Sequence, residues 1–254
     1  MVANGSSFAG GATGLGGGTG SGLTVAGLHS YYGLAHILDD VALAVKPGEV
    51  VALLGRNGAG KSTTMKSIMG LVRPRRGAID FEGHAIAGQE PHVIARLGLG
   101  YVPEDRRVFS ELTVLENLAV GRQPARPGAP EWTIERVFEL FPKLAELRDR
   151  PAGRMSGGEQ QMLTITRTLM GNPSLILLDE PSEGLAPVIV EQMANTILDL
   201  KRESLSILLS EQNLHFATLV SDRAYIIEKG RIRYEGAMAE LAKDEDVRAA
   251  YLTV

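Results

Sequence analysis

Leu54-Gly55-Arg56-Asn57-Gly58-Ala59-Gly60-Lys61-Ser62-Thr63 matches G-x-x-x-x-G-K-[ST], the pattern of a loop that cradles phosphates. Val50 to Leu54 is an unbroken apolar run, as a fully buried strand requires. Beyond the loop, Ser62 to Met69 reads as a helix, with Gly70 where helices commonly end. In this strand–loop–helix order, Gly55, Gly58 and Gly60 let successive backbone N–H groups turn inward toward phosphate oxygens. The helix N-terminus adds the positive end of its dipole. Lys61 supplies a full charge for the β- and γ-phosphates, and Ser62 offers a hydroxyl to Mg2+. The stretch from Gly55 to Thr63, with Arg56, Asn57 and Ala59, is the expected binding site of a nucleoside triphosphate.

The totals narrow the setting. A chain of 254 residues has ample material for a buried core. It is 44% hydrophobic and 22% charged with a net charge of −4, which argues against a molecule-wide nucleic-acid surface. It has no cysteine, so disulfide, zinc-thiolate and thiol chemistry are excluded. No apolar run approaches bilayer-spanning length, and the N-terminus lacks the basic and apolar regions of a secretion signal. A cytoplasmic location is the expectation.

Residues 1–22 are rich in Gly, Ser, Thr and Ala and read as a flexible tail, because they cannot bury enough surface to offset their ordering entropy. From Leu23 the chain is β-like, with strands at Leu23 to Val25 and Val41 to Val45 and a turn at Lys46 to Glu49. Arg73 to Gly77 reads as a turn, Ile79 and Phe81 as part of an edge strand, Pro91 to Leu97 as a short helix and Leu99 to Val102 as a strand. Residues 105–155 are helical in character. Thr113 and Glu116 have capping-box spacing, and Ile134, Val137, Phe138 and Phe141 form a core-facing stripe, with Trp132 read as packing. β/α alternation returns with strands at Leu175 to Leu178 and Leu205 to Leu209 around a helix containing Ile189, Met193, Ile197 and Leu200. A hairpin turns at Lys229-Gly230, and Asp244 to Tyr251 reads as a final helix. A helical subdomain at about 105–165 is thus inserted in an α/β domain spanning 23–254.

Two further motifs carry chemistry. Leu175 to Leu178 ends in Asp179-Glu180, which suits Asp179 to hold Mg2+ and Glu180 to orient and deprotonate an attacking water. Met155-Ser156-Gly157-Gly158-Glu159-Gln160-Gln161 opens a helix with a Ser156/Glu159 capping spacing, and its bare N–H groups make a second anion site. One nucleotide has no evident need for two such helix starts from the same protomer. A head-to-tail dimer, with each triphosphate between the loop of one subunit and the Ser156 helix of the other, accounts for both.

Together these motifs, in this order and spacing, resemble the ATPase cassette of an ABC transporter, from Leu23 onward. Val102-Pro103-Glu104-Asp105-Arg106-Arg107-Val108-Phe109, Ser210-Glu211-Gln212-Asn213 and the ending Val247 to Leu252 resemble LivF-type ATPases of branched-chain amino acid importers. The resemblance implies a P-loop NTPase core of the ABC-ATPase type, with an N-terminal antiparallel β element and the helical insertion. It also implies ATP and Mg2+ as cofactors, Tyr32 rather than Tyr31 stacking on adenine, and Ser62, Asp179 and Glu104 as metal candidates. Glu180 and Gln212 would be catalytic, and Ser156, Gly157, Gly158 and Glu159 would form the helix start that reaches the γ-phosphate across the dimer. Partners would be a second ATPase subunit, identical or paralogous, transmembrane permease subunits near Arg106 and Arg107, and indirectly a solute-binding protein. No nucleic-acid partner is expected, and the location would be peripheral on the cytoplasmic face of the inner membrane.

Two departures from the general ABC pattern sharpen the LivF-type resemblance: Glu104 replaces a usual glutamine and Gln212 a usual histidine. A third, Ala186 for the usual aspartate, leaves one cross-dimer contact open. The expected function is powering uptake of branched-chain or other hydrophobic amino acids. Urea, amide or aromatic-acid import, or a soluble ABC ATPase uncoupled from transport, are the alternatives. A P-loop kinase or GTPase leaves the Ser156 helix start without a role.

Overall fold

The computed structural model describes residues 22–252, so residues 1–21 of the tail reading lie outside it. Leu23–Tyr32 (β1) pairs antiparallel with Ala35–Val45 (β2) across a tight turn at Gly33-Leu34. Both strands outrun the sequence expectation. Their extra length carries His29, Ser30, Tyr31 and His36, whose polarity hides a strand from a reading of hydrophobic alternation. Val50–Leu54 (β3) leads through the glycine-rich loop into Lys61–Ile68 (α1). Arg76–Phe81 (β4) and His84–Ala85 (β5) complete a four-stranded sheet in the order β2-β1-β4-β5. This corrects the edge placement of β4, which lies between β1 and β5, and Arg76 and Gly77 belong to the strand rather than the turn. Gly77 permits the close approach: its φ is +104°, and a Cβ there would sit 2.5 Å from the Gly27 carbonyl oxygen.

Pro91–Leu97 (α2) and Leu99–Val102 (β6) precede the helical segment of Val114–Gly121 (α3), Ile134–Leu140 (α4), Pro142–Glu146 (α5), a 3-10 turn and Gly157–Leu169 (α6). Thr113 and Glu116 close a capping box on α3, as their spacing predicts. α4 stops at Leu140 because Pro142 disfavours helical backbone at Phe141, whose φ is −125°. Val137, Phe141 and Trp132 are buried, and Ile134 and Phe138 pack against the same core.

Leu175–Asp179 (β7), Pro187–Arg202 (α7), Ser206–Glu211 (β8), Leu214–Val220 (α8) and Arg223–Glu228 (β9) restore the alternation, followed by Arg231–Ala237 (β10), Met238–Leu241 (α9) and Glu245–Tyr251 (α10). The second sheet runs β10-β9-β3-β8-β7-β6, all parallel except the β9–β10 hairpin. Its central strands feed two cores by alternation. Val50, Ala52, Leu54, Ile176, Leu178, Ile207 and Leu209 face the helical side, whereas Val51, Leu53, Leu175, Leu177 and Leu208 face the four-stranded sheet. Burial on both faces produces the continuous apolar runs in the sequence. Because Leu54 pairs with Glu211 and Asp179 with Ser210, the C-terminal ends of β3, β8 and β7 finish level. The loops after them share one edge, where open α/β sheets place their ligands.

Candidate functional site

β3 delivers Gly55 directly into the glycine-rich loop. Gly60, the residue before α1, has φ +116°, and a Cβ on it would meet Leu38 Cδ2 at 2.9 Å, so backbone geometry and packing both demand glycine. Lys61 follows at the helix start and is buried, its ammonium donating to the carbonyls of Gly55 at 2.8 Å and Arg56 at 3.1 Å. The same Nζ lies 3.0 Å from Glu180 Oε1, an ion pair with both side chains below 10% exposed (3% and 7%). A recess of about 340 Å³ opens beside the loop, lined by Gly55, Arg56, Asn57, Gln212 and Leu252.

Asp179 ends β7 buried among donors. Ser62 Oγ donates to its Oδ1 at 3.0 Å, Ser210 Oγ to the same oxygen at 2.6 Å, and Tyr101 OH to Oδ2 at 3.2 Å. Burial, reinforced by the Asp179 carboxylate, pushes the Tyr101 phenol far up, so it remains a donor at any physiological pH. The Ser62 hydroxyl and the Asp179 carboxylate thus meet as an all-oxygen pair, the donor chemistry that Mg2+ prefers.

Glu180 adopts a left-handed backbone, φ +48°, a conformation that costs a non-glycine residue about 1–3 kcal/mol and tends to cluster at functional sites. Its N–H is held by the Ser210 carbonyl and hydroxyl, both at 3.1 Å. Burial opposes ionisation of its carboxyl, but a hydrogen bond with Glu183 and the Lys61 ammonium outweigh it and hold the group below its ordinary range. Glu183 moves the other way. Its hydrogen bond with Glu180, partial desolvation and the charges of Glu180, Glu104 and Glu211 raise it to about 7. Gln212 Nε2 donates to Glu183 Oε2 at 3.3 Å. Glu104 is exposed in the loop after β6 and acts here through its charge on Glu183.

Several residues that hold this arrangement carried no assigned role in the sequence reading. Glu211 is buried; its Oε1 accepts from Ser182 N–H at 3.1 Å and Oγ at 2.6 Å, and its Oε2 from the N–H groups of Gln212 and Asn213 at 3.1 Å each. It staples the loop after β7 to the loop after β8. Burial outweighs these four bonds and raises its carboxyl. A signal was present: Leu205 to Leu209 ends in Ser210-Glu211 just as the apolar run of β7 ends in Asp179-Glu180.

Ser156 caps α6 in a full capping box, its N–H donating to Glu159 Oε2 at 2.8 Å and its Oγ accepting from Glu159 N–H at 3.4 Å. The Glu159 carboxylate is therefore occupied with the cap. Gly157 and Gly158 also have packing reasons. A Cβ on Gly157 would lie 2.4 Å from Arg106 Nη1, and one on Gly158 would lie 2.7 Å from Ile189 Cγ2. Arg106 donates from Nη2 to the Glu183 carbonyl at 3.1 Å, so this guanidinium joins the start of α6 to the loop after β7. The partners of Lys61, Ser62, Asp179 and Glu180 described above lie in the glycine-rich loop, the start of α1, β6, β7, β8 and the loop after β7, none in the helix opened by Ser156. Tyr32 ends β1 about half exposed, whereas Tyr31 is occupied, stacked on His36 at 4.2 Å with the Arg75 guanidinium 4.1 Å from its ring centre.

Comparison with known proteins agrees with this architecture. A family model described as ABC transporter matches residues 38–183. A high-affinity branched-chain amino acid transport ATP-binding protein, BraG of Pseudomonas aeruginosa, is 47% identical over 223 residues, covering 88% of this chain and 96% of the relative. A probable branched-chain amino acid transport ATP-binding protein, LivF of Archaeoglobus fulgidus, is 37% identical, covering 86% and 93%. The lipopolysaccharide export ATP-binding protein LptB of Haemophilus influenzae is 36% identical, covering 91% and 96%. Among solved structures, the ADP conformation of an ABC transporter's ATP-binding cassette superposes with a TM-score of 0.76 at 31% identity, covering 89% of this chain and 96% of that one.

Proposed function

This chain belongs to the ABC transporter family as an ATP-binding subunit, and on that premise we propose that it hydrolyses ATP to power import of branched-chain or related hydrophobic amino acids. Supporting the cargo is the identity to BraG, higher than to the lipopolysaccharide-export relatives (47% against 36%).

The observation that carries the mechanism is the convergence of Lys61, Ser62, Asp179 and Glu180 at the ends of parallel strands, with none of their contacts described above coming from the helix that Ser156 opens. Triphosphate oxygens meet the amides of the loop from Gly55 to Thr63 and compete with Glu180 for Lys61. Ser62 and Asp179 would hold Mg2+, with exposed Glu104 as a further oxygen ligand, and the ion would supply positive charge to offset that of the phosphate oxygens. Glu180, ionised near neutrality, takes the proton of a water as its oxygen attacks the γ-phosphorus and ADP leaves. Gln212, held by Glu183, donates an uncharged hydrogen bond to the γ-phosphate. Tyr32 stacks on adenine. Ser156, Gly157 and Gly158 of a second subunit, identical or paralogous, close over the γ-phosphate, with Glu159 stiffening the helix start rather than touching phosphate.

A groove of about 680 Å³ suits the coupling step. Leu71, Phe109 and Val120, each about half exposed, line it with His92, Arg96 and Arg107. A cytoplasmic helix of a transmembrane subunit occupies it in this reading, which puts the chain at the cytoplasmic face of the membrane; among the described residues no helix is long and apolar enough to cross a membrane. The helical segment from α3 to α6 then moves as a unit when ATP closes the dimer. The test is ATP-dependent uptake of labelled leucine, isoleucine or valine into vesicles carrying this chain with its membrane subunits. Uptake is expected with the parent chain and absent with Glu180→Gln; uptake indifferent to ATP, or preserved in the variant, would refute the reading.

A further inference from the structure

The β1–β2 pair brings together three metal-binding side chains that play no part in the reading above. His29 Nδ1 lies 3.2 Å from His36 Nε2 and 3.5 Å from Asp39 Oδ1, and each of the three residues offers a ligand atom within 4.8 Å of the other two. Ligands at about 2.0–2.1 Å around a tetrahedral ion sit roughly 3.3–3.4 Å apart. Two of the three edges therefore already approximate the spacing of a zinc-type site.

The ligands are also held in place. The His36 ring lies parallel to Tyr31, 4° from coplanar alignment and 4.2 Å between centres. Asp39 is fixed at both ends: its N–H donates to the Gly230 carbonyl at 2.8 Å, and its Oδ2 accepts from Arg231 Nε at 2.8 Å. That leaves Oδ1 on the His29 side. Orienting contacts of this kind prepare ligands for metals. Two imidazoles and one carboxylate select borderline ions such as Zn2+, Co2+ or Ni2+ over Mg2+. Arg231 and Arg75 place positive charge nearby and weaken any binding, which further disfavours an ion lacking strong affinity for nitrogen.

We propose that His29, His36 and Asp39 form a three-ligand site for a divalent transition-metal ion of the zinc class, with solvent as fourth ligand. One of the two facing nitrogens carries the hydrogen of the His29–His36 contact; ligation shifts that hydrogen to the other nitrogen of the same ring, with no net change in charge. The ion joins β1 to β2 across the segment that contains Tyr31, Tyr32 and Gly33. It thereby stiffens the strand end that presents Tyr32.

Cobalt(II) titration of the full chain without nucleotide, followed by visible absorption, tests this independently of the ATPase reading. One equivalent is expected to bind with the intense spectrum of a four-coordinate ion and to be displaced by zinc. His29→Ala, His36→Ala and Asp39→Asn are each expected to weaken binding at least about tenfold, whereas His92→Ala and His215→Ala leave it unchanged. His36 is exposed, so His36→Ala carries the test if another variant fails to fold, as judged by thermal unfolding without metal. Absence of a saturable cobalt site, or a site that survives His36→Ala, would overturn the proposal.

Discussion

The Lys61 ammonium meets the Glu180 carboxylate at 3.0 Å, in a contact almost sealed from solvent. Two functions proposed for separate motifs, holding phosphate and activating water, thus share one ion pair. With those roles, a phosphate that recruits Lys61 would release Glu180, coupling nucleotide binding to readiness of the base through a single contact. Glu180→Gln keeps a carbonyl oxygen for Lys61, which also retains Gly55 and Arg56 as acceptors. Nucleotide affinity is therefore expected to persist while hydrolysis falls about 10²–10⁴-fold, the usual contribution of a general base. Phosphate release measured beside nucleotide binding checks this, and turnover near the parental rate would remove Glu180 from the role.

Glu183 governs a pH response. Its folded pKa of about 7 stands above the ordinary value of 4.5, so between those limits the folded chain binds more protons than the unfolded one. Stability contributed through this group is present at low pH and is lost as pH rises through that window. Glu211, also raised, acts in the same direction, whereas Glu180, lowered, loses its contribution only as pH falls below 4.5. The thermal stability of Glu183→Gln is expected to fall less steeply than that of the parent as pH rises from 5 to 7, inside the window between 4.5 and about 7. Identical slopes would contradict the shared proton.

The two tyrosines at the end of β1 separate cleanly. Base–aromatic stacking is worth about 1–3 kcal/mol, so Tyr32→Ala is expected to weaken ATP binding about tenfold with little change in stability. Tyr31→Ala breaks the His36 and Arg75 stack instead and should leave nucleotide affinity nearly intact. Fluorescence titration of both variants decides the matter; a larger affinity loss at Tyr31 would reverse the assignment.

Ala186 stands at the N-cap of the 16-residue helix α7 and offers no side-chain cap. Pro187 has no N–H and those of Ile189 and Val190 already donate to the Ala186 carbonyl, so Ala186→Asp supplies an acceptor for the Val188 N–H and a charge suited to the helix dipole. It is expected to stabilise the chain by about 0.5–2 kcal/mol in denaturant unfolding. No gain would mean that the local backbone cannot bring the carboxylate onto the helix.

Much of this was legible in the sequence because the relevant strings are local. The glycine-rich loop, Asp179-Glu180 at the end of an apolar run and the Ser156/Glu159 cap each fit within ten residues, and the structure forms each as a local unit. The missed elements depend on partners far along the chain. Tyr101 reaches Asp179 across 78 positions, Arg106 reaches Glu183 across 77, and Ser182 meets Glu211 across 29. No local pattern encodes those pairings. β1 and β2 exceed the sequence expectation for a different reason: His29, Ser30 and His36 break hydrophobic alternation while remaining in the ladder.

The head-to-tail sandwich is the claim on which the rest depends, and the particle mass of Glu180→Gln with ATP tests it most directly. Light scattering is expected to find the 27.2 kDa chain paired once ATP is added, with a second copy or with a paralogous cassette in the assembled transporter, and single without nucleotide. A single cassette per particle with ATP, both alone and alongside the membrane subunits, would contradict the account.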